Sequence, residues 1–179
     1  DKTSGPAFVD YDGDGDLDLF VGGIEFNGIK LFKNRGDGTF EDATASSGLS
    51  NMTRENTVSF AFGDYDKDGD LDMFMAHWTF TIDELPDGSP QFLWQNNGDG
   101  TFTDVSDITG MSEAAISFGV DYTFTPNFVD YDNDGDLDML LVADNNTTHV
   151  IKNEGDAGDG RYSFVRFTDE RVITDQAGM

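Results

Sequence analysis

Carboxylates stand at alternate positions three times in this chain, as D-x-D-x-D-G-D-x-D at residues 10–18, 64–72 and 130–138. Like charges crowded into so short a loop repel one another at neutral pH, so the string calls for a cation. Oxygen donors suit calcium, magnesium or manganese, whereas zinc, copper and iron sites draw on His and Cys. The chain has no Cys and 2 His, which leaves the hard cations. Magnesium prefers to keep several waters and enters all-protein cages reluctantly, so calcium is the expected ion, one per loop.

The spacing assigns roles. In the first loop the side chains of Asp10, Asp12, Asp14 and Asp18 are the expected ligands, with the backbone carbonyl of Asp16 pointing inward after a turn at Gly15. Glycine suits that turn because a residue without Cβ takes positive φ freely. The same roles fall on Asp64, Asp66, Asp68, Asp70 and Asp72 around Gly69, and on Asp130, Asp132, Asp134, Asp136 and Asp138 around Gly135. An EF-hand loop begins similarly but closes with a bidentate Glu at its twelfth position. Here that position holds Val21, Met75 or Leu141, so the ninth-position Asp must close the site. The residues that follow, LDLFVGG, LDMFMAH and LDMLLVA, are strand-like in length and composition, so the loop joins strands and not helices.

The elements that must position these loops recur with them. Each unit opens on a short strand, PAFVD, FAFGD or PNFVD, which sets Phe8, Phe62 and Phe128 two residues before the first Asp. Tyr11, Tyr65 and Tyr131 occupy the loop's second position. A second strand follows the loop, then a third (IKLFKN, QFLWQN, HVIKN), a Gly-Asp turn, and a fourth (TFEDAT, TFTDVS, YSFVRFT). The units close on Gly48-Leu49, Gly110-Met111 and Gly178-Met179, which divides the chain into repeats at residues 1–49, 50–111 and 112–179. Four strands per unit is the count of a β-propeller blade, so the expected fold class is all-β, with three blades of four antiparallel strands.

The residues FVDYDGDGDLDLFVGG and LFKNRGDGTFEDATASSGL resemble the FG-GAP/VCBS-type repeat family, best known from the β-propeller of integrin α-subunits. The resemblance covers essentially the whole chain and implies that the Asp loop between the first and second strands of each blade is a calcium site. Two stretches depart from the pattern: residues 79–90 lengthen the second unit, and the third unit's last hairpin is expanded around residues 155–160. Closed propellers have ~4 to 8 blades, so three units are expected to belong to a larger propeller or to be covered by partner chains.

Composition narrows the partners. Against 36 acidic residues there are 10 basic ones, for a net charge of -26, which excludes nucleic acid and anionic membrane surfaces that require Lys and Arg. No run of ~18 apolar residues is present to span a membrane. Asp1 reads as a processed start, and three N-x-S/T sequons at Asn51, Asn145 and Asn146 fit a secreted glycoprotein. Extracellular calcium in the millimolar range would fill such loops. The expected role is therefore an extracellular calcium-binding segment for adhesion, recognition or assembly, with a protein or glycan ligand, further blades, or copies of itself as partner.

Chemistry is not expected. Neither His77 nor His149 sits in a nucleophile motif, and the abundant carboxylates are committed to the loops. Two other readings remain: a propeller scaffold of a secreted polysaccharide-active enzyme, by analogy with lyases built on similar propellers, and a subunit of a glycosylated extracellular fibre. Arg35-Gly36-Asp37 spells an adhesive tripeptide, but Asn97-Gly98-Asp99 fills the same slot in the second unit, which makes it a hairpin turn. Trp94 occupies the slot of Phe32 and Ile151 and is expected to pack within its blade. His77 and Trp78 lead into the insertion, where packing competes with a place on a recognition surface.

Overall fold

A computed structural model describes residues 3–24, 28–51, 56–79, 92–115, 121–143 and 148–167. Twelve strands run along them. The first unit holds β1 (Thr3–Val9), β2 (Asp18–Gly23), β3 (Lys30–Asn34) and β4 (Phe40–Asp42). The second holds β5 (Thr57–Gly63), β6 (Asp72–Thr79), β7 (Leu93–Asn96) and β8 (Phe102–Asp104). The third holds β9 (Asp121–Val129), β10 (Asp138–Ala143), β11 (His149–Asp156) and β12 (Tyr162–Arg166). Each unit is a four-stranded antiparallel sheet with neighbours in chain order. The described residues form no closed ring.

The register repeats with the sequence. Val9 lies opposite Asp18, Gly63 opposite Asp72 and Val129 opposite Asp138, so every Asp loop closes the same hairpin at the same rung. The ninth Asp of each motif is thus the first residue of a strand, and its side chain is fixed by the sheet.

The core is layered. One cluster, with Phe20, Leu31, Met73, Met75 and Trp94, fills the space between the first and second sheets. The other, with Phe74, Phe92, Met139, Leu141 and Ile151, fills the space between the second and third. Side chains alternate across a strand, so β6 sends Met73 and Met75 to one side and Phe74 to the other, and all three are buried. That two-sided burial is why β6 is continuously apolar from Met73 to Ala76. In β2 the same alternation leaves Leu19 and Val21 half-buried, because only one face of that sheet is covered.

Two features have no counterpart in the sequence pattern. Trp78 and Thr79 of β6 pair with Tyr122 and Asp121 of β9, which joins the second and third units into one eight-stranded sheet. A short helix α1 (Met111–Ala115) follows Gly110, where the first unit has a turn of 3-10 helix at Leu49–Asn51. Among the described residues no helix is long and apolar enough to cross a membrane.

Candidate metal centres

Each loop is braced by its own backbone before any ion is considered. Gly15, Gly69 and Gly135 have φ of 92°, 99° and 91°, a left-handed turn that glycine accepts without strain. Their N–H groups donate back to the first Asp of the loop: Gly15 to Asp10 Oδ2 at 3.0 Å, Gly69 to Asp64 Oδ2 at 3.1 Å, Gly135 to Asp130 Oδ2 at 3.2 Å. The third Asp accepts from the residue two ahead, at 3.0 Å from Asp16 to Asp14, 2.9 Å from Asp70 to Asp68 and 3.0 Å from Asp136 to Asp134.

The ninth Asp is the anchor. Asp18, Asp72 and Asp138 are buried. Each accepts two backbone N–H groups, one from the loop's Tyr and one from an Asn at the end of the third strand. For Asp72 these are Tyr65 N at 3.1 Å and Asn96 N at 2.9 Å. For Asp138 they are Tyr131 N and Asn153 N, both at 2.9 Å, and for Asp18 they are Tyr11 N at 3.4 Å and Asn34 N at 2.7 Å.

The first, second and ninth Asp converge. Ligand oxygens of Asp10, Asp12 and Asp18 lie within 4.8 Å of one another, as do those of Asp64, Asp66 and Asp72, and of Asp130, Asp132 and Asp138. Calcium binds oxygen at ~2.3–2.6 Å, so ligands facing each other across it stand ~4.6–5.2 Å apart, and each triad fits inside that sphere. Asp10 Oδ1, Asp12 Oδ1 and Asp130 Oδ1 are buried without a hydrogen-bond donor. A buried acceptor left without a donor is costly, and a cation among the three carboxylates would satisfy it. These residues could hold metal ions.

The side chains of the remaining two Asp of each loop have other neighbours, and the expected ligand of the second of them is its backbone carbonyl. Asp14, Asp68 and Asp134 lie outside the triads, each with one oxygen on a backbone N–H. The carboxylates of Asp16, Asp70 and Asp136 turn toward the hairpin between the third and fourth strands. A Cβ on Gly36, Gly98 or Gly155 would stand 2.6, 2.5 or 2.9 Å from them, and the φ of 71°, 70° and 73° at these turns is what favours glycine there.

Electrostatics reflects the crowding. Burial pushes the Asp72 carboxyl up to about 8, with the charges of Asp66 and Asp68 adding to it. Burial also raises Asp18 and Asp138, and raises Asp66 together with the charge of Asp68. Asp14 and Asp134 are held low, chiefly by the N–H of Asp16 and Asp136. The loops differ in what answers their charge. Lys33 reaches Asp12 and, at 3.4 Å, Asp14; Lys152 reaches Asp132 at 2.6 Å and Asp134 at 3.3 Å. The matching residue of the second unit is Gln95, whose amide donates to Asp66 at 2.6 Å.

One repeated residue escaped the motif reading. Asn34, Asn96 and Asn153 end the third strand of each unit. Besides the backbone bond to the ninth Asp, each donates Nδ2 to the carbonyl just before it: Leu17 at 3.1 Å, Leu71 at 3.2 Å and Leu137 at 3.3 Å. Each Oδ1 accepts from the turn glycine, Gly36, Gly98 or Gly155, at 3.0 to 3.1 Å. The available signal was the Asn standing two residues before Gly-Asp in all three units.

The remaining candidates resolve into packing or turns. His77 is buried, bonded to Thr57 Oγ1 at 3.2 Å and set against the Phe92 ring, so its place is in the core and not on a recognition surface. Trp94 is buried between the first two sheets. Arg35 pairs with Glu41 across the turn that carries Gly36 and Asp37. All of the insertion at residues 79–90 beyond Thr79, together with Asn145, Asn146 and the closing Gly178-Met179, lies outside the described residues.

Residues 10–75 and 85–141, more than half of the chain, match the family described as FG-GAP-like repeat. A stretch of 48 residues is 42% identical to cartilage acidic protein 1 of Homo sapiens. That stretch is 27% of this chain and 7% of the human protein, so the match takes in a small part of that relative's length.

Proposed function

The chain belongs to the FG-GAP-like repeat family, and from that premise we propose that it is an extracellular, calcium-stabilised run of β-propeller blades serving recognition or adhesion. The observation that carries the ion is the threefold recurrence of one triad in one register, with buried carboxylate oxygens that lack a donor in the first and third loops. Calcium would supply charge neutralisation and a tie between the end of one strand and the start of the next. The protein's own residues do the rest: the ninth Asp fixes the loop to the sheet, the glycine turn aims the first Asp, and the Asn clamp holds the third strand against both. Recognition, on this reading, belongs to what differs between units, above all residues 79–90.

One experiment with two arms tests it. Replacing Asp66 by Ala should remove one bound calcium by titration calorimetry and leave the other two loops occupied, since each triad is local. Deleting residues 80–90, which keeps Thr79 and its pairing with Asp121, should leave the ion count and the melting curve unchanged while abolishing binding to extracellular-matrix protein and glycan arrays that retain the intact chain. Loss of all three ions in the first arm, or array binding that survives the second, contradicts the proposal. Release of reducing or unsaturated sugar ends from an acidic glycan would favour the enzymatic reading instead.

A further inference from the structure

The two junctions between sheets are built alike, yet the first leaves open a cleft that the second fills. At each, a loop tyrosine meets the fourth-strand phenylalanine of the next unit: Tyr11 meets Phe102 at 5.8 Å and Tyr65 meets Phe164 at 5.6 Å. An asparagine of that next unit donates Nδ2 to the tyrosine carbonyl, Asn96 to Tyr11 O at 2.7 Å and Asn153 to Tyr65 O at 3.1 Å. The difference lies two residues before the phenylalanine. At the second junction that slot holds Tyr162, whose ring stands edge-on to Tyr65 at 5.6 Å and whose hydroxyl donates to Asp66 O at 2.5 Å. At the first it holds Gly100, with φ of 83°. The space left beside the loop tyrosine is about 420 Å³ at the first junction and about 40 Å³ at the second.

The open cleft has a buried floor and an acceptor-rich rim. Tyr11 is 4% exposed, and a Cβ placed on Gly100 would stand 3.9 Å from its hydroxyl, so that hydroxyl points at the hairpin forming the far wall. It has no hydrogen-bond partner among the described residues, whereas a buried hydroxyl ordinarily has one. The other polar groups of the cleft have spent their donors. The Lys33 ammonium is held by Asp12 and, at 3.4 Å, by Asp14. Ser46 Oγ donates to Ala43 O at 3.1 Å, and Thr101 Oγ1 donates to Asp99 Oδ1 at 2.5 Å. Arg35 takes Glu41 through Oε2. Among the described residues nothing donates to Glu41 Oε1 or Asp99 Oδ2, so what the cleft has left to offer is acceptors.

We propose that this cleft binds an organic ammonium carried on a short alkyl stem, with Glu41 of the first sheet and Asp99 of the second as its counter-charges. An ammonium brings donors and no acceptor, and ionised carboxylates accept only, so the two complement each other. The Tyr11 hydroxyl would accept from the same group, and Ala43 with the Tyr11 ring would line the stem. Glu41 and Asp99 belong to none of the three clusters whose ligand atoms lie within 4.8 Å of one another, so the site suits an extended organic cation and not a further metal ion. It is also separate from residues 79–90 and from the triads. The same group could arrive as a free amine or as a lysine side chain, and the two are told apart by comparing n-butylammonium with N-acetyl-lysine N-methylamide.

The test is titration of the isotope-labelled chain with each amine, followed by amide NMR in saturating calcium so that the triad carboxylates are occupied. Saturable shifts should be confined to Tyr11, Glu41, Ser46 and residues 98–101, with a Kd on the order of 1 mM, too weak to hold the chain on an array. The tighter of the two amines identifies the source. Glu41→Gln combined with Asp99→Asn should weaken binding at least tenfold, and Tyr11→Phe about threefold through one lost hydrogen bond. Melting curves should not change, because the amides keep the carboxylates' shape and the Tyr11 hydroxyl has no partner to lose. Neutral n-butanol, of the same length, should leave these amides unmoved. Absence of shifts, shifts of equal size around the second and third Asp loops, a double variant that binds as well as the original, or an equal response to butanol would each overturn the proposal.

Discussion

The outer Asp loops and the middle one share a backbone, a triad and an anchor, but they neutralise their charge differently. In the first and third loops an ammonium on the third strand, Lys33 or Lys152, already sits among the carboxylates. In the middle loop a neutral carboxamide, Gln95, stands in that place. The middle loop is also fixed to the sheet that is covered on both faces, and its anchor Asp72 is pushed up to about 8 by burial. The same fold thus carries two loops with an ammonium counter-ion from the third strand and one with a neutral carboxamide in its place. The difference teaches that repetition fixes the geometry of these loops while a single neighbouring side chain differs in charge, and on the proposed calcium reading that side chain sets how strongly each loop needs an ion.

The largest expected effect comes from the anchors. Asp72→Ala strands the buried N–H groups of Tyr65 and Asn96, and an unsatisfied buried donor costs about 1–3 kcal/mol. Thermal unfolding in calcium should show this substitution to be more damaging than Asp18→Ala, whose first bond, from Tyr11, is longer at 3.4 Å. Equal losses would remove the contrast between middle and outer loops.

Next in size is the response to pH. In metal-free protein the Asp72 carboxyl at about 8 lies above its unfolded value of ~3.9, so its contribution is full below ~3.9 and fades as pH rises through about 8. Asp18 and Asp138 move in the same direction. Asp14 and Asp134 are lowered, so their contribution is lost only in acid, below ~3.9, and does not oppose the trend. Stripped protein should melt higher at about pH 5 than at about pH 8.5, and calcium should reverse the order because protons and the ion compete for the same oxygens. A stripped protein that gains stability over that interval would show that burial of the anchors does not govern the loops.

A smaller effect separates the two kinds of loop directly. Two unit charges ~4 Å apart interact by about 4 kcal/mol at an effective dielectric of ~20, and partial exposure leaves a fraction of that. Gln95→Lys should therefore weaken calcium at the middle loop by about tenfold, and Lys33→Gln should strengthen it at the first by a similar factor. Calorimetry that finds all loops equal before and after the exchange would mean that the third-strand side chain is a bystander.

The parts legible in the sequence were those written locally. All twelve strands fall on the segments expected from apolar runs and turn glycines, and the first, second and ninth Asp come together because a nine-residue loop leaves them little choice. The Asn clamp was harder to read, because Asn34, Asn96 and Asn153 act through both backbone and side chain on partners up to 88 residues away. The pairing of β6 with β9 had no signature, since an edge pair across units carries no turn and no fixed spacing. His77 stands beside an insertion, where packing competes with a place on a recognition surface, and the packing reading is the one its burial supports. Its burial follows from the second sheet being covered on both faces, which only the stacking reveals.

Thermal unfolding before and after chelation, with the ion content measured in both samples, tests the central claim most directly. Three calcium ions per chain and a melting temperature that falls when they are removed are expected, because binding at a hundredfold excess over Kd adds about 2.7 kcal/mol per site. An unchanged melt in protein shown to be free of metal would contradict the account.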